Sequence, residues 1–308
     1  MPLTPTEKIW MDGELVDWDK ATVHVLTHSL HYGMGVFEGI RAYATANGPA
    51  IFRLREHTRR LFQGARILQM ELPFSEDEIF EAIKLTVRVN GLDTCYVRPI
   101  AYLGYGEMGL NPMPCKVQVA IGVWPWGAYL GDEGIERGVR LKVSSWARHD
   151  ARAMPTAAKA TGMYINSSLA KVEAVLAGYD EALMCTTGGL ISEATGENIF
   201  VVRDGRISTP PASSVGALEG ITADAISTIA RDLGHTVTER DMRRTDLYVA
   251  DEVFLTGTAA EVVPVASVDD RAVGTGKPGP VTRAIQEVFF ATVRGEVDQY
   301  KDWLEYVG

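Results

Sequence analysis

The stretch WPWGAYLGDEG at residues 124–134 constrains the fold most, because it divides a chain of 308 residues into two parts. It concentrates Pro, Gly and aromatic residues and interrupts the periodic patterns on both sides. A chain of this length is long enough for two domains of ordinary size. We therefore predict a first domain over residues 1–124, an interdomain loop over 125–134 and a second domain over 135–308.

Each part contains the signature of a tight hairpin. Asp12-Gly13 lies between two short apolar runs, and Asp204-Gly205 separates IFVV from RIST in the same way. Such pairs favour two-residue turns because both central residues must accept a positive φ. Helical patterns accompany them, one with a capping box at Ser75 and Glu78. The sequence therefore predicts an α+β fold for both domains.

A second-domain helix is predicted from ITADAISTIARDLG. The pattern places four apolar residues on one face, and a glycine supplies the stop. These positions are Ile221, Ala225, Ile229 and Leu233, followed by Gly234.

Charge and composition restrict the class of protein. Thirty Lys and Arg against forty Asp and Glu give a net charge of -10, and no basic run is present that could follow a phosphate backbone. No apolar stretch is long enough to cross a bilayer, and the first residues lack a signal-peptide pattern. We expect a cytoplasmic protein that binds neither nucleic acid nor membrane. Three widely spaced cysteines, Cys95, Cys115 and Cys185, predict reduced thiols.

Three histidines, His24, His28 and His31, have the spacing of one helix face and could resemble half of a zinc site. The stretch begins with β-branched residues, however, and no carboxylate at matching spacing completes or orients the ligands. We expect histidines that bond backbone groups, and no metal.

Two glycine-containing segments are candidate anion sites, whereas GTGKPG lacks the spacing of a P-loop. In EGIT, the free amides of Ile221 and Thr222 at a helix start could point at a phosphate. In TGTAAE, small residues surround the Thr258 hydroxyl. Every helix has such an end, and TGTAAE also fits a tight surface turn, so the residues alone leave both assignments open.

Lys159 lies in MPTAAKATGM, where its neighbours are small or apolar. Burial among such groups disfavours the ammonium and lowers the pKa of a lysine. A neutral amine is a nucleophile toward carbonyl groups. A solvated lysine on a surface loop is the alternative that composition favours.

Seven collinear segments resemble bacterial branched-chain amino acid aminotransferases, which are class IV, pyridoxal-phosphate-dependent enzymes. They read HYGMGVFEGIRAY, YVRPIAYLG, WPWGAYLG, PTAAKATGMYINS, GLISEATGENIF, EGIT and TGTAAEVVPV, and the resemblance as a whole runs from about Ile9 to Trp303. The resemblance implies the fold-type IV architecture: a small amino-terminal α+β domain and a larger carboxy-terminal domain of mixed sheet with helices. It also implies pyridoxal 5′-phosphate as cofactor and ping-pong transfer of the amino group of Leu, Ile or Val to 2-oxoglutarate.

The resemblance also implies the roles of the cofactor residues. Lys159 forms the Schiff base and moves the substrate α-proton. Glu193 pairs with the pyridine nitrogen, with Glu197 behind it, and Tyr164 bonds the cofactor O3′. The implied phosphate ligands are Arg60, Ile221, Thr222 and Thr258, with Arg59 as an alternative to Arg60.

The implied substrate site combines an apolar cage for branched side chains with polar groups for glutamate. Its residues are Tyr32, Phe37, Gly39, Tyr96, Arg98, Met108, Leu110, Trp126, Tyr129, Tyr164 and Ala259. Tyr32 and Arg98 meet the distal carboxylate, which an apolar cavity alone would reject. Met108 and Leu110 reach the site across a dimer interface, and the amides of Thr258 and Ala259 hold the α-carboxylate.

Two positions depart from the family pattern. Tyr105 and Glu107 stand where Asp and an apolar residue are common, which leaves open a D-amino acid or (R)-amine transaminase on the same fold. A non-catalytic protein that binds a phosphorylated metabolite is the alternative from another class. We expect a homodimer or a trimer of dimers.

Overall fold

The structure, a computed structural model, describes residues 3–127 and 130–308, with residues 131–133 described by their backbone alone. The chain forms two compact units. The first comprises Met1–Trp126, Ala158–Met163 and Thr292–Gly308, and the second comprises Gly127–Ala157 and Tyr164–Ala291. The segment with Lys159 and the carboxy-terminal residues thus belong to the first unit, although the sequence places both in the second domain. The predicted boundaries of the domains and of the loop stay predictions.

An eight-stranded antiparallel sheet forms the centre of the first unit. Its strands are β1 (Lys8–Met11), β2 (Glu14–Asp17), β3 (Gly35–Phe37), β4 (Ile40–Thr45), β5 (Gly48–Phe52), β6 (Cys95–Leu103), β7 (Val117–Trp124) and β17 (Leu304–Tyr306). The order is β17-β5-β4-β6-β7-β1-β2, and β3 pairs with β6. The carboxy-terminal strand β17 therefore pairs with β5, far from it in sequence.

The helices of the first unit are α1 (His28–Tyr32), α2 (Leu54–Ile67) and α3 (Glu76–Val89). Helices α2 and α3 cover this sheet with their apolar sides, whereas α1 buries only His28. The core between helices and sheet includes Ile40, Ile51, Leu61, Ile79, Ile83, Val97 and Val119. The capping box at the start of α3 is confirmed, because the Ser75 hydroxyl accepts from the Glu78 amide and the Glu78 carboxylate accepts from the Ser75 amide.

A nine-stranded mixed sheet forms the centre of the second unit. Its strands are β8 (Val139–Ala147), β9 (Glu181–Cys185), β10 (Ile191–Ala194), β11 (Asn198–Arg203), β12 (Arg206–Thr209), β13 (Val237–Glu239), β14 (Glu252–Gly257), β15 (Glu261–Val268) and β16 (Arg271–Ala272). The β8–β9, β8–β15 and β12–β13 pairs are parallel, and the others are antiparallel. The predicted α+β class is confirmed.

The helices after Trp124 are α4 (Gly131–Arg137), α5 (Tyr164–Leu176), α6 (Ala212–Val215), α7 (Ile221–Asp232), α8 (Arg244–Tyr248) and α9 (Pro280–Val293). Helix α5 packs on β8 and β9, and α7 packs on β14. In α7, Ile221, Ala225 and Ile229 are buried as predicted. Leu233 is instead the carboxy-terminal cap of the helix and is partly exposed, because the helix ends one residue before it.

Both predicted hairpins are confirmed. Asp12 and Gly13 join β1 to β2 with φ of 49° and 99°, and Asp204 and Gly205 join β11 to β12 with φ of 50° and 72°. In the part of the chain that is described, no helix is long and apolar enough to span a membrane.

Candidate active site

Backbone contacts fix Lys159 and its neighbour to strand β3 of the first unit. The Phe37 amide donates to the Lys159 carbonyl at 3.1 Å, and Val36 forms an isolated antiparallel bridge with Ala160. The backbones of Gly33 and Gly162 also meet closely, so that a Cβ on Gly33 would lie 2.9 Å from the Gly162 Cα. These contacts explain why a segment so late in the sequence belongs to the first unit.

Two cationic groups lie against one phenyl ring. The Lys159 Nζ is 5.0 Å from the Phe37 centroid, and the Arg98 guanidinium carbon is 4.7 Å from the same centroid. Cations within about 6 Å of a ring are attracted by its quadrupole. The arrangement therefore places a primary amine and a guanidinium at the same aromatic side chain.

Further aromatic residues surround Arg98. Tyr96 and Trp124 place their rings 5.3 and 5.9 Å from the guanidinium, and Trp126 lies 5.4 Å from the Tyr96 ring. The Arg98 Nε is buried and has no hydrogen-bond partner among the described residues. The group thus forms an apolar wall around one cation.

Gly39 is required by the position of Tyr96. A Cβ at Gly39 would lie 1.9 Å from the Tyr96 hydroxyl, closer than any side chain tolerates. The resemblance implies only that Gly39 belongs to the substrate site. The structure gives an immediate reason for the glycine, since the absent side chain admits the phenol.

A buried ion pair joins β3 to α2 through Glu38. The fully buried Glu38 carboxylate accepts from Arg60 through Nε at 2.6 Å and Nη2 at 2.8 Å, which is a bidentate arrangement. It also bonds the His57 Nδ1 at 2.8 Å. Of the two adjacent arginines, Arg60 is thus the one held by a buried carboxylate, whereas Arg59 is exposed.

The pKa values in this cluster follow from burial and charge. Burial alone would raise the pKa of Glu38, but the Arg60 guanidinium and then His57 outweigh it and hold the pKa well below its ordinary range. Burial lowers the pKa of His57, although Glu38 opposes the shift. A charged carboxylate therefore lies between a guanidinium and a neutral imidazole.

In the second unit, Glu193 lies in β10 and pairs with Arg148, which follows β8. One Glu193 oxygen is 2.6 Å from the Arg148 Nη2, and the other accepts from the Leu218 amide at 3.0 Å. Both side chains are buried. The carboxylate is thereby held between a strand and the segment that precedes α7.

Helix α7 begins at the predicted anion site. Gly220 is its amino-terminal cap, and a Cβ there would lie 1.9 Å from the Asn198 Oδ1. The Asn198 amide group also donates to the Leu218 carbonyl at 2.9 Å. Ile221 and Thr222 occupy the first positions of the helix, where backbone amides lack helical acceptors and favour anions.

Thr258 and Ala259 lie in the turn between β14 and β15, and both are partly exposed. Nearby, the Thr256 hydroxyl is buried and has no hydrogen-bond partner among the described residues. The turn has small side chains, and its role as an anion site stays a prediction.

A second carboxylate of the ISEATGEN motif lies deep in this unit. Burial, and next Glu181, raise the pKa of Glu197 to about 8. Glu181 itself is paired with Lys171 at 2.6 Å and accepts from the Thr195 hydroxyl at 2.7 Å. Near neutral pH, the Glu197 carboxyl group is therefore protonated in most of the molecules.

Three of the predicted substrate residues are exposed. Tyr32 packs on His28 with a centroid distance of 4.6 Å, while Met108 and Leu110 extend from the 104–116 loop. The rings around Arg98 are those of Phe37, Tyr96 and Trp124, and the predicted pairing of Tyr32 with Arg98 stays a prediction. Tyr129 lies outside the described residues.

The histidines bond backbone groups. His28 lies 2.9 Å from the Gly109 carbonyl and His31 lies 3.0 Å from the Val25 carbonyl, while His24 accepts from the Leu26 amide. Because α1 begins at His28, the three imidazoles do not share one helix.

Sequence reasoning missed Glu38, His57 and Arg148. Glu38 had a signal, because it is a lone charge in the apolar run GVFEGI. His57 and Arg60, three residues apart on one helix face, gave a second. Arg148 had no comparable signal within SSWARHD.

Comparisons with known proteins show the family. Residues 35–268 match the family model described as amino-transferase class IV. A curated relative named branched-chain-amino-acid aminotransferase, from Pseudomonas aeruginosa, is 48% identical over 96% of this chain and 95% of its own.

Solved structures are also similar. The crystal structure titled as the Escherichia coli branched-chain amino acid aminotransferase has a TM-score of 0.96 and 47% identity, covering 98% of this chain and all of its own. The T.th. branched-chain amino acid aminotransferase with pyridoxamine 5′-phosphate has a TM-score of 0.95 and 50% identity, covering 98% and 99%. A further structure of that protein contains N-(5′-phosphopyridoxyl)-L-glutamate.

Proposed function

Because the chain belongs to the class IV aminotransferase family, we propose that it transfers amino groups between branched-chain L-amino acids and 2-oxoglutarate with pyridoxal 5′-phosphate as cofactor. The relatives carry the same activity in their names, and one binds a cofactor adduct of glutamate. The alternation of the two substrates is the ping-pong reaction of transaminases.

One observation carries this proposal: the Lys159 amine and the Arg98 guanidinium lie against the same Phe37 ring. The amine is a nucleophile and a proton carrier, and the guanidinium is a partner for a carboxylate. The aromatic wall around them suits an aliphatic side chain. A substrate pair of one aliphatic and one dicarboxylic amino acid needs both properties at one place.

The donor set of the chain fits the cofactor. In the first unit, Lys159 matches the aldehyde and Arg60 matches the phosphate. In the second unit, the buried Glu193 carboxylate matches the ring nitrogen, Tyr164 the ring hydroxyl, and Thr258 with the first amides of α7 a phosphate. When bound, the cofactor supplies an electron sink for the substrate α-carbon.

The chain's own residues perform the remaining tasks. The Lys159 Nζ takes the proton from the substrate α-carbon and later returns it. Arg98 binds the distal carboxylate of glutamate and, when leucine is bound, stays among the aromatic rings that attract it. The amides of Thr258 and Ala259 hold the α-carboxylate.

Initial rates test the substrate class. We expect the purified protein to transfer the amino group of L-leucine to 2-oxoglutarate much faster than that of D-alanine or an (R)-aryl amine. The reason is that Tyr32, Arg98 and FEGIR follow the pattern of the L-branched-chain enzymes. The measurement is formation of glutamate with each donor.

A faster rate with D-alanine or the (R)-amine would contradict the specificity while leaving a transaminase. Transfer from none of the donors by protein that binds pyridoxal phosphate would favour the non-catalytic alternative.

The assembly that the resemblance implies is supported by exposed apolar residues. Leu110 is 88% exposed, and helix α5 presents Ile165, Leu169, Val172 and Leu176 on one face. The two charged side chains of α5 bond other residues of the second unit. Lys171 pairs with Glu181, and the Glu173 carboxylate accepts from the Ser144 hydroxyl at 2.6 Å. An apolar face without charge is complementary to itself, so we propose a second copy of this chain as its partner.

Val172→Glu should therefore convert the oligomer into smaller species, because two carboxylates would oppose each other in a face that excludes water. Sedimentation or light scattering of the purified protein measures the mass. Val249→Glu is the matched control, since Val249 is 53% exposed and Val172 is 54% exposed. An unchanged mass in Val172→Glu, or an equal loss in both variants, would contradict the role of α5.

We propose a cytoplasmic location. Cys95, Cys115 and Cys185 are free, as is usual in a reducing compartment, which supports a cytoplasmic enzyme.

A further inference from the structure

We propose that Arg148 is a positioning residue that holds three cofactor-contacting parts of the second unit in one arrangement. Its guanidinium bonds Glu193 in β10, the backbone before α7 and a side chain of α5. The proposal rests on the proposed function, because these elements contact a cofactor only if the chain is a pyridoxal-phosphate enzyme.

The contacts of Arg148 use three different nitrogens. Nη2 lies 2.6 Å from the Glu193 Oε1, Nε donates to the Gly216 carbonyl at 3.2 Å, and Nη1 donates to the Ser167 hydroxyl at 3.3 Å. The side chain is 7% exposed. A planar fork with fixed donor directions fixes the relative positions of all its acceptors.

Each acceptor belongs to a predicted cofactor element. Glu193 is the partner of the ring nitrogen. Gly216 lies two residues before Leu218, whose amide donates to the second Glu193 oxygen, and four residues before the cap of α7. Ser167 lies one turn after Tyr164 in α5. A displacement of Arg148 therefore moves the candidate ring and phosphate contacts together.

The backbone at Gly216, which accepts from the Arg148 Nε, is packed closely against the residue that follows Arg148. Gly216 has a φ of 69°, and a Cβ there would lie 2.6 Å from the His149 carbonyl, which adjoins Arg148. The segment is thus packed against the same stretch from which the guanidinium extends. This second contact makes Arg148 part of a rigid junction.

Binding of pyridoxine 5′-phosphate to the apoprotein tests the proposal. This probe has an alcohol in place of the aldehyde, so its affinity reports positioning without the covalent link to Lys159. We expect Arg148→Met to weaken binding about tenfold or more, since it leaves a buried carboxylate without its charged partner. Arg152→Met is the control, because Arg152 lies in the same loop, is exposed and, among the residues that the structure describes, pairs with Asp150.

A mutant cycle with Glu193→Gln separates positioning from general destabilisation. If Arg148 acts through Glu193, the double variant should bind the probe only slightly more weakly than the single variant with the lower affinity. If the two substitutions act independently, their losses of affinity should multiply. Multiplication of the two losses would overturn the proposal. Melting of each apoprotein shows that the compared samples are folded.

Arg148→Lys provides a second variant in case Arg148→Met does not fold. It keeps the charge but cannot reach three acceptors at once, so we expect a smaller loss of affinity. Wild-type affinity in every folded Arg148 variant would overturn the proposal and leave the proposed function intact. Failure of the wild-type apoprotein to bind the probe would instead overturn the proposed function, and this inference with it.

Discussion

Lys159→Ala should yield a folded protein that transfers no measurable amino group from L-leucine, a loss of about a thousandfold or more. The substitution removes both the nucleophile and the proton carrier, and loss of general acid–base catalysis alone typically costs 10² to about 10⁴ in rate. The fold should survive, because the substitution keeps the backbone contacts from Phe37 and Val36 that hold this segment. The measurement is the rate of glutamate formation together with the melting temperature.

Covalent mapping makes this prediction specific to one amine. Borohydride treatment of the wild-type protein with pyridoxal phosphate should place the modification on the peptide that contains Lys159. Lys159→Arg keeps a cation at the Phe37 ring but should give neither modification nor turnover. Lys277→Ala, at an exposed lysine in GTGKPG, should behave as wild type. Modification of another lysine, or turnover without Lys159, would remove the basis of the proposed function.

The local parts of this fold were predictable because short-range chemistry decides them. Asp12-Gly13 and Asp204-Gly205 form hairpins since their conformations are available to few other pairs, and Ser75 with Glu78 caps α3 from within four residues. The division of the chain into two units was harder to predict from the sequence. It depends on β17 pairing with β5 and on Ala160 meeting Val36, which are contacts between residues distant in sequence.

The candidate site shows the same difference. Lys159 and Glu193 could be proposed as site residues because the motifs around them resemble a family. The residues that hold their surroundings could not, since a buried ion pair is made by partners on different elements. Arg148 and Glu193 are 2.6 Å apart, yet 45 positions in the sequence separate them. Nothing in either local stretch specifies the other.

Glu38→Gln should lower the stability of the apoprotein strongly. A glutamine amide can accept from Arg60 or from His57 through one oxygen only, and its NH₂ group would face a donor. Breaking a buried ion pair from one side costs about 3–5 kcal/mol, because the other charge remains buried. We expect a fall in melting temperature of roughly 5 °C or more.

Glu56→Gln is the matched control for this substitution. Glu56 pairs with Arg53 in the first turn of α2, but its side chain is 35% exposed, so water can replace the lost partner. Exposed pairs contribute about 1 kcal/mol or less. A melting temperature for Glu38→Gln as high as that of the control would show that the cluster does not stabilise the first unit.

The pH dependence distinguishes the charge of Glu38 from its packing. Its pKa lies below the ordinary 4.5 in the folded protein, since Arg60 and His57 outweigh the effect of burial, so its contribution to stability is present above about pH 4.5 and is lost as the pH falls. His57 affects the stability at a higher pH than Glu38 does. Burial lowers the pKa of His57 below 6.5 in the folded protein, so the unfolded chain takes up this proton first as the pH falls. The contribution of His57 to wild-type stability should therefore begin to fall near pH 6.5, and the contribution of Glu38 should fall below pH 4.5. Glu38→Gln has no carboxylate to lose at this position, so the difference in stability between the variant and wild type should narrow below pH 4.5. A difference that stays constant would mean that packing rather than charge makes Glu38 important.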